Sequence, residues 1–205
     1  MPFISKTNFN NFNLYLWKIE ESEVTLENGI AISSALRERL KSARSEEHRK
    51  GILSVHQLMK VADVLESDLY YDSDGCPNLK FNKYISISHS KYFSAIVLSE
   101  FQIGVDIEFC REKIIRIAPR FLHNKEHFAL GKIEELTYVW TAKEAIYKAF
   151  RTSGINFSKQ IYIDKPFDEG KVREGKVVYN DQHKLFELSS IKFDSHFVTI
   201  AYEKN

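Results

Sequence analysis

The sequence predicts an α+β protein in which two rounds of strand, helices and strands follow one another. Three observations support that reading. Stretches with a period of two open and close each round, stretches with apolar residues three and four apart lie between them, and polar turns at Asp74-Gly75, Glu169-Gly170 and Asn180-Asp181 mark reversals of the chain.

The elements follow in order. In residues 12–20, Phe12, Leu14 and Leu16 fall on one face and predict a first sheet strand. From 32 to 41, and again from about 46 to 65, the spacing turns helical, with Ile52, Val55, Met59 and Ala62 three and four apart. Ser45, followed by Glu46 and Glu47, is a helix start: its hydroxyl caps free backbone donors, and the acids suit the positive helix end. Arg49 and Lys50 then lie in the first turns of that helix. Residues 70–81 hold a turn between short extended pieces. Ile85 and Ile87 face a core with His89 in phase at the strand end, and residues 93–98 read as another buried strand.

In the second round, residues 104–108 (GVDIE) read as a strand. Alternation sends Val105 and Ile107 into a core and leaves Gly104, Asp106 and Glu108 on the opposite, open side. Residues 111–132 place Arg111, Lys113, Arg116 and Arg120 on expected helices with Ile114, Ile117, Phe121 and Phe128. Residues 140–148 (WTAKEAIYK) read as a helix on which Trp140, Glu144 and Lys148 form one stripe, Trp140 serving as packing. Lys143 lies about 100° away from the stripe. Gly154 is the expected end of that helix, and strands are expected over 160–164, 176–179, 185–193 and 197–202.

Composition limits the function classes. With 205 residues and 43% hydrophobic content, one domain or two small ones can form a packed core. A net charge of +1 gives no global pull toward nucleic acid or an acidic membrane, so electrostatic recognition has to be local. Cys76 and Cys110 lie far apart, without the spacing of a disulfide framework or a zinc site. No secretory leader is read at the start, and no segment approaches roughly 18 uninterrupted apolar residues. The expectation is a cytoplasmic protein that is neither exported nor embedded in a membrane.

Chemistry gathers at the two phrases of the second round. Carboxylates on one strand face beside a glycine suit a hard divalent cation such as Mg2+, which takes a few carboxylates together with substrate phosphates. The helix stripe adds a flat ring, an acid and an amine.

GVDIE and WTAKEAIYK, preceded by ISISHS at residues 85–90, together resemble the 4'-phosphopantetheinyl transferases of the larger, surfactin-type class. Both phrases are intact, in the family's order and at about its spacing, and the likeness is strong over residues 84–157. The resemblance implies two similar α+β halves in a pseudo-twofold arrangement. Residues 1–101 would contribute to coenzyme A binding, and residues 102–205 would carry the metal site and catalytic helix.

It also implies the reaction: a phosphopantetheine arm moves from coenzyme A to a serine of an apo acyl or peptidyl carrier protein, with Mg2+, leaving 3',5'-ADP. Asp106, Glu108 and Glu144 would hold the metal, and Asp106, Glu144 and Lys148 would carry catalysis. Arg49, Lys50, Ser88, His89 and Lys148 would grip the coenzyme. Arg111, Lys113, Arg116 and Arg120 would dock an acidic carrier, and a monomer suffices.

Two positions depart from the family. Cys76 stands where a lysine would reach a phosphate, with Lys80 and Lys83 nearby, and His56 stands near a usual arginine, offering a pH-sensitive donor instead of a permanent charge. Two other readings stay open: a Mg2+-dependent phosphohydrolase using the same acids, and a non-catalytic module that binds coenzyme A or a carrier.

Overall fold

The computed structural model describes residues 3–9 and 11–204. The chain divides into two compact units, Met1–Phe101 and Gln102–Asn205. Both mix helices with antiparallel strands, so the α+β class holds.

The first unit carries strands β1 (Phe3–Phe9), β2 (Phe12–Lys18), β3 (Leu69–Tyr71), β4 (Pro77–Leu79), β5 (Tyr84–His89) and β6 (Phe93–Ser99). Its helices are α1 (Glu23–Glu27), α2 (Ser34–Ser42) and α3 (Glu46–Val61). The main sheet runs β1-β2-β6-β5, and β3 pairs with β4 alone. No apolar alternation marks β1, whose Ser5, Lys6, Thr7 and Asn8 are polar. It is an edge strand paired only to β2, and such a strand needs no buried face.

Ser45 caps α3 as its sequence predicts, accepting from the His48 amide at 3.1 Å. The helix stops at Val61, short of the expected end, because Asp63 takes a left-handed φ of 55°. Its apolar face, with Leu53, Val55, Leu58 and Met59, packs on Tyr15, Trp17, Ile85 and Ile96 of the sheet.

The second unit carries β7 (Ile103–Phe109), α4 (Lys113–Ile117), α5 (Ile133–Phe150), α6 (Phe157–Gln160), β8 (Ile161–Ile163), β9 (Arg173–Tyr179), β10 (Gln182–Phe193) and β11 (His196–Glu203). The sheet order is β7-β11-β10-β9-β8. Asn180 and Asp181 both take positive φ, 48° and 61°, in the two-residue turn between β9 and β10. Asp194 and Ser195 repeat that geometry between β10 and β11.

Helix α5 lies across this sheet. Leu136, Val139, Ala142, Ala145, Ile146 and Ala149 bury against Val177, Phe186, Leu188, Phe197 and Ala201. Two boundaries differ from expectation. Arg151, with φ of 51°, ends α5 ahead of Gly154. Residues 111–132 hold only the five-residue α4 and two single 3-10 turns, because Pro119 has no amide to continue a helix and Gly131 takes φ of 73°.

Candidate active site

The site forms where α5 crosses β7, and Gly104 sets how closely they meet. A Cβ added there would stand 2.0 Å from the Ala145 carbonyl oxygen and 2.7 Å from the Ala149 amide nitrogen. Only glycine lets two backbones approach so closely. The even-numbered face of β7 is therefore covered by α5, and the open strand face expected for Asp106 and Glu108 is corrected. Asp106 is only 5% exposed, and Val105 and Ile107 on the other face are buried too.

The close crossing lays the helix stripe over the strand acids. Lys148 Nζ donates to Asp106 Oδ1 at 2.7 Å and to the Val105 carbonyl at 3.0 Å. Trp140 Nε1 donates to Glu108 Oε1 at 3.2 Å. Trp140 is thus more than packing: it fixes one of the acids, while its ring lies 5.0 Å from that of Phe121 and 5.6 Å from that of Phe157.

Glu144 lies between Trp140 and Lys148 on the same stripe. Burial pushes its carboxyl up to about 7, reinforced by the charge of Asp106 and, more weakly, of Glu108, against the pull of Lys148. Burial also raises the Glu108 carboxyl, with Asp106 adding to the rise and the Trp140 hydrogen bond opposing it.

The charge of Asp106 raises the proton affinity of both Glu108 and Glu144, so the three acids share one electrostatic neighbourhood. That is the donor chemistry a hard cation relieves, so Asp106, Glu108 and Glu144 fit Mg2+ by charge and ligand type. Among the described residues no three His, Cys, Asp or Glu side chains stand close enough together to hold a metal ion as they are placed. The ammonium of Lys148 pairs with Asp106 at 2.7 Å.

Beside Glu144 a cleft of about 440 Å3 is lined by Arg120, Trp140, Tyr147, Ile155 and Phe157. A smaller one of about 150 Å3 lies by Glu108, with Arg111, Lys113, Ile114 and Trp140 on its walls. Arg111, Lys113, Arg116 and Arg120 are all exposed, and Ile115 among them is 43% exposed. The basic, apolar-studded surface expected there is divided between α4, which carries Lys113, Ile115 and Arg116, and the loop and 3-10 turn that carry Arg111 and Arg120.

Lys143 has a place no charge pattern suggested. It is fully buried, pairs with Glu126 at 2.8 Å, and donates to the carbonyls of Phe121, Phe157 and Ile161. One signal was available: Lys143 is in phase with Leu136, Val139 and Ile146 on the core face of its helix.

In the first unit, α3 and β5 bring together the segments expected to grip a coenzyme. A Cβ on Gly51 would meet the His89 ring at 2.7 Å, and the rings of His48 and His89 lie 5.5 Å apart. Ser88 is buried beside them on β5, and Lys50 is half-buried on α3. The Arg49 guanidinium is held two-pronged by Glu23, with Nε at 2.9 Å and Nη2 at 2.8 Å from its oxygens.

His56 is 7% exposed, and burial pulls it down to about 4. It is neutral near pH 7 and supplies no charge, which revises the pH-sensitive donor expected there. Asp72 builds the turn around Cys76, accepting from the amides of Asp74 and Cys76 at 3.0 and 2.9 Å. Lys80 and Lys83 are exposed.

Fold and site together define a class: an α+β protein in which a helix crosses an edge strand closely and sets a lysine amine on a buried strand acid. Residues 102–201, the stretch carrying Asp106, Glu108, Glu144 and Lys148, match the family model of the 4'-phosphopantetheinyl transferase superfamily. The 4'-phosphopantetheinyl transferase gsp of Aneurinibacillus migulanus is 27% identical over 116 residues, 53% of this chain and 49% of that protein. The match thus spans about half the length of that curated relative. No helix among the described residues is long and apolar enough to cross a membrane.

Proposed function

We propose that this protein is a 4'-phosphopantetheinyl transferase, moving the phosphopantetheine arm of coenzyme A onto a serine of an apo acyl or peptidyl carrier protein. The observation that supports the reading is the Lys148–Asp106 contact, with Glu108 and Glu144 both within the electrostatic reach of Asp106, inside the stretch that matches the family model.

The serine oxygen forms a bond to the phosphorus bearing pantetheine. The bond from that phosphorus to the bridging oxygen breaks, and 3',5'-ADP leaves with the electron pair. Such chemistry is chiefly positioning and charge stabilisation. Asp106, Glu108 and Glu144 would hold Mg2+, which when bound neutralises charge on the diphosphate.

Glu144, or a metal-held water that it would orient, is the candidate base for the serine proton. Lys148 is already held at Asp106, one turn of helix from Glu144, and stabilises the departing diphosphate. Arg49, Lys50, Ser88 and His89 of residues 1–101 grip coenzyme A. Arg111, Lys113, Arg116 and Arg120 of residues 102–205 receive the acidic carrier. A cytoplasmic monomer completes the proposal.

The test is stoichiometry. Incubation with coenzyme A, Mg2+ and an apo carrier is expected to yield one 3',5'-ADP for each carrier modified. Phosphate released from simple esters without any acceptor would point instead to a phosphohydrolase. Coenzyme binding with no covalent product would point to a binding module.

A further inference from the structure

The Lys143–Glu126 pair stands behind the site without touching it. Both side chains are fully buried and 2.8 Å apart. A buried ion pair is a poor source of net stability, since a well-packed apolar pair of similar volume often does as well. What an apolar pair would lack is the set of bonds these groups make to backbone. Glu126 accepts from the His123 and Ile163 amides, each at 2.7 Å. Lys143 donates to the carbonyls of Phe121, Phe157 and Ile161 at 2.7, 3.1 and 2.7 Å.

Phe121 and Phe157 are also the residues whose rings flank Trp140. The ammonium therefore fixes the backbone of both aromatic neighbours, and between them the indole is aimed at Glu108. Phe157 and Trp140 also wall the cleft beside Glu144. Every link in this chain is a contact within the second unit.

We infer that Lys143 and Glu126 are positioning residues: by pinning Phe121 and Phe157 they clamp Trp140, which holds the Glu108 carboxylate in its working orientation. Groups that orient a ligand carboxylate through one intermediary typically change affinity or activity when lost, without contacting substrate. The inference builds on the transferase reading only for its kinetic consequence. Its structural core, the clamp on one indole, stands apart from any activity.

Trp17 and Trp140 are the two tryptophans of the chain, so a Trp17→Phe background leaves Trp140 as the sole indole. In that background, emission and acrylamide quenching are measured for Glu126→Gln and for Phe157→Leu, with and without Mg2+ alone. The first breaks the charge pairing with Lys143; the second keeps the pair but removes one flanking ring, at a half-buried position that tolerates leucine. Both are expected to shift Trp140 emission to the red and make it more quenchable. Both should require more Mg2+ for any spectral response and lower kcat about tenfold or more with KM for coenzyme A unchanged.

Unchanged Trp140 emission in folded Glu126→Gln protein overturns the inference, and so does unchanged emission in Phe157→Leu. If Glu126→Gln does not fold, Glu126→Asp, which keeps the charge but shortens its reach to Lys143 and to the His123 and Ile163 amides, takes its place, and unchanged Trp140 emission there overturns the inference. Equal losses in kcat and coenzyme affinity would reduce the pair to general structure and also overturn it. Altered emission in a protein whose parent transfers nothing would keep the clamp and refute the transferase.

Discussion

Gly104→Ala is the perturbation whose consequence is best determined. The new Cβ would stand 2.0 Å from the Ala145 oxygen, where ordinary contact begins near 3.4 Å. Neither obstacle is a movable side-chain end, since both belong to the backbone of α5. The helix and β7 must therefore separate by more than about 1 Å, a small-to-large change of the kind that costs about 1–3 kcal/mol.

Alanine gains about 0.4–1 kcal/mol by restricting the unfolded chain, so overpacking wins. For a chain of this size the thermal midpoint should fall by roughly 2–10 °C. Displacing Trp140, Glu144 and Lys148 from the strand acids by about 1 Å should lower turnover on the order of 100-fold. Gly175→Ala is the comparison: its Cβ meets the Ile146 Cδ1 atom at 2.4 Å, the far end of a flexible side chain. It should cost less stability and little turnover. Thermal unfolding and carrier modification, measured on both variants, check this, and a Gly104→Ala protein with parental midpoint and turnover would refute the close-crossing argument.

Asp106→Ala should abolish transfer and also cost about 1–3 kcal/mol, because it strips a buried partner from Lys148; an active variant in a coupled activity and urea-unfolding measurement would contradict this. Lys148→Met should lower turnover more than coenzyme A affinity, and equal losses in steady-state kinetics and equilibrium binding would argue against a role in the transition state. His56 predicts a pH dependence of stability. Its folded value of about 4 lies below the ordinary 6.5, so the unfolded chain takes up a proton that the folded chain refuses. Its contribution is complete above pH 6.5 and is lost as the pH falls toward 4, about 3 kcal/mol in all. Urea unfolding should show the loss in the parent and a shallower one in His56→Gln, and parallel curves would refute it.

Long periodic elements were legible because their signals are local. Helix α3 announced its serine cap, and α5 its stripe of Trp140, Glu144 and Lys148. The acids of β7 were legible as a group because alternation places Asp106 and Glu108 on one face whatever covers it. What covers that face was not legible from hydropathy: an acid suggests water, whereas here it lies under a helix and meets an amine. Gly104 held the clue, since a glycine in a strand often marks a close backbone approach.

Glu126 carried no signal at all, because its partners lie far along the chain or in loops whose path only tertiary packing decides. Lys143 looked like a stray charge on a helix face, yet its phase with Leu136 and Ile146 already assigned it to the core. The polar edge strand β1 shows the opposite failure, a real element with no buried face to betray it.

The most direct measurement is intact-mass analysis of several apo carrier proteins after incubation with coenzyme A, Mg2+ and this protein. At least one carrier should gain the mass of a single phosphopantetheine arm on its serine, and the gain should vanish when Asp106→Asn replaces the parent. Carriers that all keep their apo mass, or a gain that persists with Asp106→Asn, would contradict the account.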